Sequence, residues 1–159
     1  MTLKMIVAGV IALTTATASP AANCWNMERV AAARIAEFNA AMMVTTLQCD
    51  LISVDIKSSY ESFIVNYKNR LQSADDRLKR HFKDDGAGGE KSYHQFYTQI
   101  GNRYGAAKTD SARCALFAAV ATELARSGSN DEVLDKYASA LVPEPAITGQ
   151  RCAQIASKP

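Results

Sequence analysis

Thirteen residues, "YHQFYTQIGNRYG" from Tyr93 to Gly105, gather three tyrosines, a phenylalanine and one of the chain's two histidines. Phenols beside an imidazole could stack on a ligand, hydrogen-bond to it or move a proton. Proton transfer needs a second group, and the arrangements that supply one are missing. His81 and His94 lie in different segments with no acid or cysteine at metal spacing, and the Glu-x-x-His pattern of di-iron bundles does not occur. Glu90, four residues before His94, is the nearest approach. Asp75 and Asp76 in "SADDR" would point about 100° apart on a helix, which suits a charged, solvated face with Arg77, Lys79 and Arg80 better than paired-acid chemistry. "GAGG" lacks the lysine and the preceding strand of a phosphate loop and reads as a linker. The sequence therefore assigns no catalytic residue, no metal site and no cofactor, and points away from an enzyme.

At 100° steps Tyr93, Phe96, Tyr97, Ile100 and Tyr104 fall inside one arc of about 100°. That is the pattern of a core-facing stripe whose hydroxyls need partners or a route to the rim. If the stretch does face outward, Tyr93, His94, Tyr97 and Tyr104 are the residues expected to meet a ligand or partner.

Cys24, Cys49, Cys114 and Cys152 offer different chemistry. Their spacing excludes a CxxC redox pair, a CxxCH haem attachment and the close pairs of zinc ribbons, leaving two disulfides as the expectation. Of the three connectivities, Cys49 with Cys114 and Cys24 with Cys152 are favoured, the first joining two helix ends and the second the two mature termini. Trp25 is expected to pack on the second bridge.

Disulfides require an oxidising compartment, and the N-terminus agrees. "MTLKMIVAGVIALTTATASPA" has one lysine, an apolar run too short to span a bilayer and small residues for cleavage after Ala18 or Ala21, so residues 1–21 read as a signal peptide. Acylation of Cys24 is not expected, because Asn23 fits a lipobox poorly. Removing Lys4 with the signal leaves 17 basic against 16 acidic residues, a balance that gives no reason to expect nucleic acid as a partner.

The elements that must position these residues are helical, since no stretch sustains period-2 alternation. The spacing predicts an all-α, antiparallel bundle of four to five helices over 22–142, followed by an irregular tail over 143–159 held by Cys152. The first helix runs from about Met27 to Cys49, with Val30, Ala33, Phe38, Ala41, Met42 and Leu47 apolar among good helix formers. A second runs unbroken from about Val54 to Phe82, capped by Ser53 or Asp55. A capping box of Ser92 with Gln95 opens the third, Asp110 or Ser111 caps a fourth, and Ser129 with Glu132 opens a fifth. No transmembrane segment is expected in the mature chain.

"FNAAMMVTTLQCD", "YESFIVNYKNRLQSADDRLKRHF", "YHQFYTQIGNRYG" and "CALFAAVA" together resemble a group of small exported, cysteine-bridged helical proteins of Gram-negative bacteria, largely without assigned function. The resemblance implies a periplasmic or secreted helical protein and carries over no active site. The expectation is a non-catalytic protein that binds an envelope or secreted protein partner, as an accessory subunit or periplasmic inhibitor. The alternative is a carrier holding a small apolar ligand between its helices through Tyr93, Phe96, Tyr97 and Tyr104.

Overall fold

The computed structural model describes residues 24–84 and 88–152. The expected signal peptide, the centre of the glycine linker and the last seven residues of the tail lie outside these residues. The described chain forms α1 (Met27–Asp50), α2 (Lys57–Asn66), α3 (Lys68–Lys83), α4 (Gly89–Gly105), α5 (Ser111–Arg126) and α6 (Asp131–Leu141). Among the described residues there is no strand, only an isolated parallel bridge between Trp25 and Arg151.

The 24-residue α1 contacts each of the other five helices. Its alanines make that possible: Ala32, Ala33, Ala36 and Ala41 are buried and let neighbouring backbones approach closely. Asn26 caps the helix by accepting from Arg29 N at 2.9 Å. Large side chains from several elements close over this small-residue face, with Phe38, Phe63, Tyr67, Leu78, Ile100, Leu124 and Leu134 all inaccessible or nearly so. The two bridges join Cys24 to Cys152 and Cys49 to Cys114, with Cα separations of 4.9 and 5.7 Å. No helix among the described residues is long and apolar enough to cross a membrane.

Three sequence expectations need correction. Six helices are present rather than four or five, because the run expected from Val54 to Phe82 is interrupted at Tyr67 and starts only at Lys57. Tyr67 sits at φ −104° and ψ 13°. Its hydroxyl hydrogen-bonds with Ser127 Oγ (2.8 Å) and donates to Asn130 O (3.0 Å), while Asn66 Nδ2 donates to Ala125 O (2.9 Å). The interruption is thus held from the far end of α5. Helix α4 begins at Gly89 and not at a Ser92 cap: a Cβ at position 89 would lie 2.2 Å from Phe82 O, so a residue without one allows the tight return from α3. For α6 the capping side chain is Asn130, accepting from Glu132 N, and not Ser129.

Elsewhere the local chemistry operates as expected. Asp110 caps α5 through Arg113 N at 2.8 Å, and Gly128 ends that helix region with φ +62°. Asp55 accepts from Lys57 N at the start of α2, whereas Ser53 takes φ +62° in the connection.

Candidate functional site

The tyrosine-rich helix α4 lies against α1 and α3. Phe96 and Ile100 are buried, whereas Tyr93, Tyr97 and Tyr104 are partly buried. Their hydroxyls find carboxylates. Tyr93 and Tyr97 both donate to Asp75 Oδ1, at 2.5 and 2.7 Å, while Lys79 Nζ stands 2.7 Å from Asp75 Oδ2. Asp75 is consequently not part of a solvated face, which corrects the sequence reading: its side chain is only 28% exposed. Burial pushes its carboxyl up, but hydrogen bonds from Lys79, Tyr93 and Tyr97 and the Lys79 charge outweigh burial and hold it below the usual range. His94 stands apart, 69% exposed and 3.9 Å from Glu90.

Tyr104 reaches a second carboxylate, one that sequence reasoning missed. Glu37 on α1 is fully buried. Its Oε1 accepts from Arg103 Nη1 (2.7 Å) and Tyr104 Oη (3.0 Å), and its Oε2 accepts from Ala146 N (2.5 Å). One side chain thereby ties α1 to α4 and to the tail. The available signal was position: Glu37 lies four residues after Ala33 and four before Ala41, on the alanine face where a charge is out of place.

These phenols are spent on structure, and their ionisation reports it. Burial first, then the bond to Asp75, pushes Tyr93 up to about 12; burial and Glu37 do the same to Tyr104, and Tyr97 is raised further still. A phenol whose folded value is raised contributes stability that is complete below its ordinary value near 10 and is lost as pH rises towards 12. Ultraviolet titration should therefore show Tyr93, Tyr97 and Tyr104 resisting ionisation at pH 11, with Tyr60 also raised by its burial and stability falling between about pH 10 and 12. Asp75→Ala should bring Tyr93 and Tyr97 down and leave Tyr104 in place. Normal ionisation of Tyr93, Tyr97 and Tyr104 in the folded protein would contradict this geometry.

Among the described residues, no three His, Cys, Asp or Glu side chains converge in a way that could hold a metal. A cluster of exposed apolar side chains lies at the C-terminal end of α1. Met43 and Leu47, with Leu51 at the C-cap, recur every four residues and are 45%, 64% and 85% exposed, and Ile52 beside them is 45% exposed. Leu47 therefore faces out. Along this stripe runs a groove of about 230 Å³ lined by Met43, Thr46, Leu47, Asp50, Lys57, Tyr60 and Glu61. Thr46 is nearly buried beneath it, and its Oγ1 has no hydrogen-bond partner among the described residues.

No protein-family model, no curated protein and no solved structure matches the chain.

Proposed function

We propose that this is an exported, disulfide-stapled helical protein of the cell envelope that acts by docking on a protein partner, as an accessory subunit or inhibitor, through the end of α1 and the adjoining face of α2. The observation that carries the reading is the exposed stripe of Met43, Leu47, Leu51 and Ile52 beside a groove. Singly exposed apolar residues are ordinary, but four close together, of which Met43 and Leu47 line a concavity, resemble a helix-binding surface. The charged residues lining it are Asp50 and Glu61 against Lys57, so the fitting partner is an amphipathic segment with apolar anchors and a basic flank. Two disulfides fit a periplasmic or secreted location.

The tyrosine-rich helix is a poorer surface, because its hydroxyls are already bound to Asp75 and Glu37. A carrier built on Tyr93, Phe96, Tyr97 and Tyr104 has little room. The concavity that includes Phe96 measures only about 70 Å³, below the roughly 300 Å³ typical of ligand pockets.

Replacing Leu47 and Leu51 together by glutamate tests the docking reading. Both side chains are exposed, so stability should stay within about 0.5 kcal/mol of wild type. Burying two leucines in a complex contributes about 3 kcal/mol or more, so affinity for the partner recovered from envelope extracts should fall at least about a hundredfold. Undiminished association in a folded double variant would remove this surface from consideration.

A further inference from the structure

At the opposite end of α1, beside the Cys24–Cys152 bridge, lies a further concavity. Trp25 lies between α1 and the tail: its N–H donates to Gln150 O at 2.9 Å, its carbonyl accepts from Cys152 N at 3.0 Å, and its indole Nε1 donates to Thr148 O at 2.7 Å. The indole is 2% exposed and packs on His81, with ring centroids 4.0 Å apart, and on Phe82 and Phe96. The tail must pass close over it, and Gly149 does so at φ +98°, a conformation that favours glycine. Beside this anchor opens a cleft of about 520 Å³ lined by Trp25, Met27, Val30, Arg34, Arg151 and Cys152.

The lining is divided by chemistry. Trp25, Met27, Val30 and the half-cystine supply an apolar floor and wall, two guanidinium groups supply positive charge, and among the described residues none that lines the cleft is acidic. Arg34 is fixed in place, donating through Nε to Val142 O (3.0 Å) and through Nη2 to Pro143 O (3.2 Å). Its Nη1 has no partner among the described residues and keeps donors for a ligand. Arg151 pairs with Glu144, whose side chain is 79% exposed, so an incoming anion competes with a solvated carboxylate and not a buried one. Fixed, weakly hydrated guanidinium groups bind planar or tetrahedral oxyanions well, and the adjoining apolar wall favours a hydrocarbon body.

We propose that this cleft binds a small anionic amphiphile, a single carboxylate or phosphate head between Arg34 and Arg151 with a short alkyl body along Trp25, Met27 and Val30. The site is separate from the α1–α2 groove and does not depend on the docking reading. Its volume suits a chain of about ten carbons in the range typical of ligand pockets.

Decanoate, decyl phosphate and decanol, each kept below its aggregation threshold, can be titrated into the oxidised protein while following Trp25, its only tryptophan, by fluorescence and the heat by calorimetry. The expected result is saturable one-to-one binding of at least one anion, with decanol at least tenfold weaker. Whichever anion binds more tightly identifies the head. Arg34→Gln and Arg151→Gln should each weaken the preferred anion about tenfold. Arg34→Gln also loses a bond to the tail; if it fails to fold, Arg151→Gln, altered at a half-exposed side chain, decides the matter. Absence of saturable anion binding, equal binding of decanol, or a folded Arg151→Gln protein of unchanged affinity would each overturn the proposal.

Discussion

Glu37→Ala is expected to destabilise the protein by about 3 kcal/mol, lowering its melting temperature by about 10 °C for a chain of this size. The carboxylate is fully buried and would be costly to hold there alone, but three donors compensate it: Arg103, Tyr104 and the Ala146 amide. Removing the acceptor strands those donors unequally. Arg103 is 51% exposed and can turn to water, so little of the loss arises there. Ala146 N–H and the Tyr104 hydroxyl are partly buried, and leaving each without an acceptor costs about 1–3 kcal/mol. Glu37→Gln keeps one acceptor and should recover part of the loss. Urea unfolding followed by circular dichroism gives the magnitude, and hydrogen exchange gives the place: amide protection at Ala146 should fall before that of the α1 core. A Glu37→Ala protein within 0.5 kcal/mol of wild type would mean that the buried carboxylate is not a latch.

The second large effect concerns the bridges. Replacing Cys49 and Cys114 by alanine should cost about 4 kcal/mol, because the bridge closes a separation of 65 residues and both half-cystines are fully buried. The Cys24–Cys152 bridge spans 128 residues and would weigh at least as much in loop entropy, but it is partly exposed where the other is not. Exposure governs the order of reduction in the folded state. A mild reductant followed by alkylation and mass spectrometry should label Cys24 and Cys152 first. Labelling of Cys49 and Cys114 should require urea. Simultaneous labelling of all four under native conditions would contradict this difference in burial.

The parts of the fold that the sequence made legible are those set by short-range spacing. The 3.6-residue period of α1 and α4, the Asp110 cap and the Gly128 stop act through neighbours within a turn or two. The interruption at Tyr67 was not legible: Phe63, Tyr67 and Leu71 keep helical spacing across it, and the bonds that hold it come from Ser127 and Asn130, about sixty residues away. The Ser92 and Ser129 capping patterns failed for a related reason. At the first, Gly89 starts the helix early where the chain returns past Phe82, and at the second, Asn130 is the stronger cap one residue on.

The candidate surface was less legible still. Periodicity correctly turned Phe96 and Ile100 inward, and it anticipated that the tyrosine hydroxyls would need partners, but it could not supply Asp75 or Glu37 as those partners. Apolar residues at steps of four mark a stripe, and a stripe covered by another helix looks the same in sequence as one left open. Only the placement of α2 and α5 leaves Met43, Leu47 and Leu51 uncovered.

The docking reading is tested most directly by a photo-crosslinking amino acid placed at Leu47 in the native cell, with a matched placement at exposed Glu132 on α6 as the control. The account predicts one recurrent, stoichiometric envelope protein joined at position 47, through a segment bearing apolar anchors and basic residues, and none at 132. Protein recovered without a partner from position 47, or with the same partners from both positions, would contradict it.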